Sequence, residues 1–153
     1  MFYSVRSVRG WLVFGVGCLA MQGVLWADPS GLRSDDFNSC TLDTTKWTMV
    51  DPLGGGNVTL TGMGTQDAVV TVSVPAGASH DVWSDGNHAV SLMQPANNTD
   101  FEVRVKLDTL MNAGYQMQGL LVEQDAGQFL RYDFGYDGKQ VRVQVAQEGL
   151  NHD

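Results

Sequence analysis

Residues 120 to 134 read LLVEQDAGQFLRYDF, two alternating apolar stretches that are joined by the polar break DAGQ. Asp125 and Gly127 in this break favour a tight hairpin turn, because glycine accepts backbone angles that other residues resist. A second break, YDGK at 136 to 139, leads by the same logic into VRVQVAQ at 141 to 147. The stretch therefore predicts three neighbouring strands in an antiparallel meander.

Alternation of apolar and polar residues continues through most of the chain. DFEVRVKLD at 100 to 108 alternates without a break, which is typical of a strand with one buried and one solvated face. Further alternating or apolar segments are AVVTVSV (68 to 74), KWTMV (46 to 50), NVTLT (57 to 61), HAVSLM (88 to 93) and YQMQGLLVEQ (115 to 124). About eight strands with short turns and no convincing helix predict an all-β fold, an antiparallel β-sandwich or jelly roll.

The N-terminus has the pattern of an export signal. Arg6 and Arg9 precede an apolar stretch of sixteen residues, 11 to 26. Sixteen residues are short against the roughly twenty that span a bilayer, so a cleaved signal peptide over residues 1 to 27 is expected rather than a membrane anchor. Residues 28 to 153 would then form one domain that is secreted, either extracellular or periplasmic, with no membrane contact after cleavage.

Charge and cysteine content narrow the classes of partner. The net charge is −8, and loss of the signal peptide would remove two of nine basic residues and none of seventeen acidic ones, giving −10. Such a chain is poorly suited to nucleic acid or to an anionic membrane surface. One cysteine, Cys40, would remain in the mature chain, which is interpreted as a small buried or idle thiol rather than part of a disulfide framework.

Four ordered segments carry a family resemblance: SDDFNSCTLDTTKWTMVDP (34 to 52), VPAGASHDVW (74 to 83), NTDFEVRVKLD (98 to 108) and YQMQGLLVEQDAGQFLRYDF (115 to 134). Together they resemble the concanavalin A-like lectin/glucanase superfamily. The nearest likeness is to the laminin G-like modules that accompany secreted bacterial glycoside hydrolases, including the C-terminal domain of β-xylosidases. The resemblance covers about residues 34 to 147. It implies a jelly roll of two antiparallel sheets, one of them concave, associated with extracellular polysaccharides.

The end of the chain departs from this family pattern. Members normally carry several more strands after the one that corresponds to VRVQVAQ, whereas this sequence stops at Asp153. The expectation is a sandwich that lacks its C-terminal strands. The strand at 141 to 147 would then have an unpaired edge, which is a recognised route to self-association.

The paired carboxylates Glu123 and Asp125 raise the question of glycoside hydrolysis. The glucanase branch of the superfamily uses Glu-x-Asp-x-Glu or Glu-x-Asp-x-x-Glu, in which one carboxylate attacks the sugar and another donates a proton. Gly127 and Gln128 occupy the last position of either motif, and neither can act as a general acid. Asp133 is a carboxylate that could approach across the hairpin. Glucanase-like activity stays an alternative, while Glu123 and Asp125 are interpreted as a strand end and a turn.

Trp83 is the best candidate for a sugar-binding platform. It lies in the polar segment HDVWSDGNH (80 to 88) rather than in an alternating strand, and an exposed indole packs well against the apolar face of a sugar ring. Burial in the core is the competing interpretation, since tryptophan is usually mostly buried. Trp47 is assigned to the core.

Polar strand residues provide the rest of the predicted site. Alternation places Tyr132 and Phe134, with their neighbours Leu130 and Tyr136, on the inner face of their strand and Arg131, Asp133 and Asp137 on the outer face. If Gln116 and Gln118 on the neighbouring strand share the surface of Arg131 and Asp133, the four make an uncharged patch of donors and acceptors suited to a neutral glycan. An ordinary solvated sheet face is the alternative.

No cofactor is required by this interpretation, although calcium is an option. Asp81 and Asp85 with nearby loop carbonyls have the oxygen ligands that calcium prefers. A polar loop in which Asp85 and Gly86 make a turn explains the same residues. The three histidines do not fall at zinc-ligand spacing.

The leading hypothesis is a secreted, non-catalytic, lectin-like module that binds a neutral polysaccharide and is linked to glycan degradation. The second hypothesis is a structural or adhesive β-sandwich that binds other proteins.

Overall fold

A computed structural model of the chain describes residues 2–5, 31–83, 86–125 and 127–149, the first of these as backbone only. These ranges contain ten strands and no helix, which confirms the predicted all-β, antiparallel class. The strands are β1 (Phe2–Val5), β2 (Thr48–Val50), β3 (Asn57–Thr61), β4 (Val69–Ser73), β5 (Val82–Trp83), β6 (Gly86–Asn87), β7 (Ser91–Met93), β8 (Gln116–Asp125), β9 (Gln128–Tyr136) and β10 (Val141–Glu148).

The strands form four antiparallel sheets among the described residues, with the orders β1-β4-β3, β10-β9-β8, β2-β7 and β5-β6. The predicted meander is the β10-β9-β8 sheet, and it contains the longest strands. Apart from β1, residues 1 to 27 of the predicted signal peptide lie outside the described residues. No helix in the described ranges is both long enough and apolar enough to cross a membrane.

Both predicted hairpin turns are present. Asp125 closes the first, because its Oδ1 accepts the backbone N–H of Gly127 at 3.0 Å. The second joins β9 to β10, where the N–H of Asp137 donates to the carbonyl of Gln140 at 3.2 Å and Gly138 adopts the positive φ of 92° that the turn requires. Asp125, Asp137 and Gly138 therefore act as predicted, whereas Gly127 does not adopt the left-handed backbone angle that was expected of it.

The strand predicted at 100 to 108 is absent apart from an isolated bridge at Lys106. Phe101 and Val103 instead line a concavity together with Leu120 and Tyr132. Alternation requires only that one side of an extended segment be covered, whereas a strand also needs a neighbouring edge with which to exchange backbone hydrogen bonds. In this segment Phe101 and Val103 are still 41 % and 44 % exposed, and the bridge at Lys106 is its only strand pairing among the described residues.

The core lies between β4, β5 and the meander. Val70 and Val72 of β4 are buried, as alternation predicts, and Phe129 at the start of β9 packs against Val82 and Ala89. Burying a side chain the size of phenylalanine stabilises a fold by about 1.5–3 kcal/mol. Trp47 is only half-buried, where it stacks on the buried Phe37 at 5.5 Å between ring centroids. Cys40 is exposed, so of the predicted buried or idle thiol the buried alternative is wrong.

The meander has two faces, which the strand register defines. The Trp83 face comprises Met117, Leu121, Phe129, Arg131 and Asp133, and it packs towards β5. The Tyr132 face comprises Leu120, Val122, Tyr132, Phe134, Val143 and Val145.

The predicted inner and outer faces of β9 are therefore reversed. Arg131 and Asp133 are buried, whereas Tyr132 and Phe134 are exposed. Alternation identifies the residues that share a face but not which face is covered. Phe129 packs into the core, and Arg131 and Asp133 are buried with it because they lie on the same face of the strand.

Candidate functional site

Trp83 and Arg131 form a stacked pair at the edge of the core. The guanidinium carbon of Arg131 lies 4.5 Å from the centroid of the Trp83 ring, within the range of a favourable cation–π contact. Trp83 ends β5 directly after the buried Val82, yet 46 % of its surface is exposed. Arg131 covers one side of the indole, so a ligand can reach the indole from the solvent side.

Below this stack lies a buried ion pair. Arg131 Nη1 and Asp133 Oδ2 are 3.6 Å apart, and their side chains are only 4 % and 7 % exposed. Burial raises the pKa of the Asp133 carboxyl, and the nearby Arg131 charge offsets part of that rise. The two side chains meet because residues two apart in a strand share a face.

The ion pair has unused hydrogen-bonding capacity. Nε and Nη1 of Arg131 and both carboxylate oxygens of Asp133 lack a hydrogen-bond partner in the described part of the chain. A buried polar atom left in this state costs about 1–3 kcal/mol, more when it is charged. Such atoms are expected where a ligand or water completes the bonding.

A cavity of about 160 Å³ lies beside β8, and Arg131 and Asp133 are part of its wall. Gln118 also lines it; its Nε2 donates to the carbonyl of Thr109 at 3.0 Å, while its Oε1 has no partner among the described residues. Ser91 contributes a hydroxyl in the same unpaired state. At roughly 30 Å³ per liquid water, the cavity has room for about five waters or one small ring.

Gly119 allows β8 to lie close to the ion pair of Arg131 and Asp133. It faces Asp133 in the strand register, and a Cβ atom there would lie 2.2 Å from the Tyr132 carbonyl oxygen and 2.6 Å from the Asp133 Cα. Sequence reasoning missed both Ser91 and Gly119 as parts of the site. A glycine inside an alternating strand is a recognised sign of close backbone approach, so Gly119 carried a usable signal; Ser91 carried none.

Three of the five predicted sugar-binding residues, Gln118, Arg131 and Asp133, line this cavity. Trp83 is linked to it through its contact with Arg131, and Gln116 is not part of it. Gln116 and Gln118 face Tyr136 and Phe134 in register, so the prediction that they share a surface with Arg131 and Asp133 was wrong. Gln118 nevertheless reaches the cavity, since β8 borders it. Gln116 is used structurally, because its Oε1 accepts the N–H groups of Asn112 and Ala113 at 2.7 and 3.0 Å.

The calcium prediction at Asp81 and Asp85 stays a prediction. Asp85 lies outside the described residues. Asp81 accepts a hydrogen bond from the Ser79 hydroxyl at 2.7 Å and lies 3.8 Å from Nδ1 of His88. The described ranges contain no group of three His, Cys, Asp or Glu side chains that could hold a metal ion.

The carboxylates considered for hydrolysis are well separated. A β-bulge lies between Glu123 and Asp125, and the Asp125 carboxylate is used in the turn. Glu123 faces Phe129 in register and Asp133 faces Gly119, so Glu123 and Asp133 are four residues apart along the strands, or roughly 13 Å. Paired glycosidase carboxylates lie about 5–5.5 Å apart in retaining enzymes and about 6.5–9.5 Å apart in inverting ones.

A larger concavity of about 720 Å³ lies on the side of the Tyr132 face and includes Trp47, Phe101 and Tyr132 in its lining. Asp35 also lines it, but its Oδ2 already accepts the Trp47 indole N–H at 2.9 Å and lies 3.4 Å from the Lys46 ammonium. The smaller cavity is the stronger candidate, because its buried polar atoms are the unpaired ones.

Comparisons of the chain with protein-family models, with curated proteins and with solved structures find no match.

Proposed function

We propose that the protein is a secreted, non-catalytic carbohydrate-binding module that holds a neutral polysaccharide at Trp83. The observation that carries this proposal is the half-exposed indole stacked on Arg131, above a buried pair with unpaired donors and acceptors. A β-sandwich of the concanavalin A-like type is the proposed architecture. The all-β antiparallel strands and the resemblance of residues 34 to 147 to laminin G-like modules support it.

The chemistry of the cavity favours hydroxyl groups as ligands. Arg131 can only donate hydrogen bonds, and an ionised Asp133 can only accept them, so a ligand that satisfies both must accept and donate. A sugar hydroxyl does both with one group. Because the two charges compensate each other, the site carries no net charge that would select a charged ligand.

The net charge of the whole chain also favours a neutral ligand. With a net charge of −8, the protein repels an anionic glycan at long range, whereas a neutral polysaccharide experiences no such repulsion. An apolar ligand would leave the Arg131 and Asp133 atoms unpaired. Neutral glycans are therefore the class that fits both the site and its surroundings.

Trp83 makes the first contact in this arrangement. The indole offers a flat apolar surface to the C–H face of a sugar ring, and Arg131 fixes the indole from the other side. Arg131 and Asp133 lie deeper, with Gln118 on the wall of the same cavity.

Affinity electrophoresis of the full chain through gels that contain single neutral polysaccharides tests the proposal. One glycan is expected to retard the protein, and Trp83→Ala is expected to weaken that retardation at least about tenfold, as for other aromatic anchors. Trp83→Phe should retain most of it. A urea titration of each variant separates lost binding from lost folding.

Tyr132→Ala is the matched control, because Tyr132 is also aromatic and also 46 % exposed but lies on the opposite face. It should leave retardation unchanged. Retardation that Tyr132→Ala abolishes and Trp83→Ala leaves intact would move the site to the larger concavity. A folded chain that no glycan retards would refute sugar binding.

Two additional arms address the other predictions. Retardation with calcium and with a chelator tests whether Asp81 and Asp85 contribute a metal. An assay for new reducing ends with each retained glycan tests the glucanase alternative, in which Glu123→Gln should abolish any activity found.

We also propose a second candidate function, contact with other proteins, which a different observation favours. Tyr132, Phe134, Val143 and Val145 form an exposed apolar surface on the meander. Large exposed apolar patches commonly mark protein interaction sites.

A further inference from the structure

The residues that line the smaller cavity carry more unpaired acceptors than unpaired donors, counted over the described part of the chain. The acceptors are Oε1 of Gln118 and the two carboxylate oxygens of Asp133, and the donors are Nε and Nη1 of Arg131. The unpaired Ser91 hydroxyl can donate its one hydrogen to an acceptor. Of the three acceptors, two are then left for a ligand to satisfy, together with the two donors of Arg131.

Thr109 determines which end of the Gln118 amide is unpaired. The Nε2 of Gln118 donates to the carbonyl of Thr109 at 3.0 Å. A carbonyl accepts hydrogen bonds and cannot donate them, so the opposite orientation of the amide would set two acceptors against each other. Gln118 is only 5 % exposed, and the end of its amide that stays unpaired is therefore an acceptor and not a donor.

Ligand groups differ in the hydrogens and lone pairs that they bring to these atoms. A single hydroxyl has one hydrogen and leaves one of the two acceptors unpaired, whereas two hydroxyls bring two hydrogens and enough lone pairs for both donors of Arg131. A carboxylate brings no hydrogen and would face the ionised Asp133. An ammonium group brings no acceptor for Arg131. Two hydroxyls therefore meet the count where a single hydroxyl or a charged group does not.

The size of the cavity restricts where the two hydroxyls can be. Its volume of about 160 Å³ has room for one small ring and not for two. Gly119, which follows Gln118, faces Asp133 in the strand register, so Gln118 and Asp133 lie on neighbouring strands roughly 4.8 Å apart. Both hydroxyls must therefore belong to one ring and lie close together on it.

We propose that the cavity selects a ring with two free neighbouring hydroxyl groups and that Gln118 determines this specificity, an inference that rests on the proposed sugar-binding function. The first hydroxyl accepts a hydrogen bond from Arg131 and donates one to Asp133. The second donates to Oε1 of Gln118. A sugar that is methylated or deoxygenated at either position leaves a buried acceptor unpaired. Trp83 stacks on any flat ring, so it contributes affinity, whereas Gln118 contributes the discrimination.

Titration of the full chain with small ring probes, followed by amide chemical shifts, tests this specificity. The probes are trans-1,2-cyclohexanediol, its monomethyl ether, which keeps both oxygens but loses one hydrogen, and cyclohexanol. The diol should bind at least about tenfold more tightly than either of the others. Cyclohexanecarboxamide is the competing probe, because a primary amide brings two hydrogens and an acceptor in one group. Tighter binding of the amide than of the diol would overturn the proposal.

Gln118→Met removes the acceptor at nearly constant volume, and it should reduce the preference for the diol over its ether to within about threefold. Gln116→Met is the matched control, since it makes the same change on the same strand outside the cavity, and it should keep the preference. A urea titration of each variant checks that it folds, and the wild-type probe series needs no variant at all.

The outcomes separate this inference from the proposed function. Equal affinities for the diol and its ether, in a protein that a polysaccharide still retards, would overturn the specificity and leave polysaccharide binding intact. A preference that survives in a folded Gln118→Met variant would also overturn it, as would a chain that binds none of the probes. A clear preference for the diol in a protein that no polysaccharide retards would support recognition of the hydroxyl pair and refute polysaccharide binding.

Discussion

The buried pair of Arg131 and Asp133 gives the sharpest test of the structure. Removing one member should be far more harmful than removing both. At 3.6 Å and an effective dielectric constant of about 20, the attraction between the two charges is about 4–5 kcal/mol. Asp133→Leu forfeits that attraction and leaves a buried guanidinium without compensation, which typically costs 3–5 kcal/mol.

The double variant Arg131→Met with Asp133→Leu removes both desolvation penalties together. Replacing a buried ion pair by apolar residues of similar volume is often neutral, or stabilising by about 1–4 kcal/mol. Arg131→Met also loses the contact with Trp83, worth about 0.5–2 kcal/mol. The double variant should therefore lie within about 2 kcal/mol of the wild type, well above either single variant.

Urea denaturation of the four proteins, followed by tryptophan fluorescence, measures this cycle. The coupling free energy between the two positions should be at least about 3 kcal/mol. Each single variant leaves one buried charge without its partner, whereas the double variant leaves none. If the single effects are small and simply add, the pair is solvated and the buried site as described is refuted.

Three further predictions concern the same region. Gly119→Ala should lower the free energy of unfolding by about 1–3 kcal/mol, seen as a lower urea midpoint, because the new Cβ meets the Tyr132 carbonyl oxygen at 2.2 Å. Phe129→Ala should cost about 3–5 kcal/mol by the same assay, since this fully buried ring joins the meander to the core; a cost below 1 kcal/mol would contradict that packing. Burial raises the folded-state pKa of Asp133, so the native state binds more protons than the unfolded state between the ordinary and the raised pKa. The stability of the wild type relative to Asp133→Asn should therefore fall as pH rises through that window, and a relative stability that grows with pH would contradict the buried carboxyl.

The local features of the fold could be predicted from the sequence because they depend on neighbouring residues. The turn residues Asp125 and Asp137 predicted both hairpins. Alternation predicted the positions of β4, β8, β9 and β10 to within two residues at either end. These signals act over a few residues and need no knowledge of the rest of the chain.

The predictions that were wrong concern features that depend on which parts of the chain meet in the fold. Residues 100 to 108 alternate more regularly than any other segment, yet among the described residues they pair only at an isolated bridge at Lys106. Arg131 and Asp133 were assigned to the solvated face because they are charged, whereas Phe129 determines which face packs inward. The unpaired state of Ser91 and Gln118 follows from tertiary placement, about which their own sequence neighbourhoods say nothing.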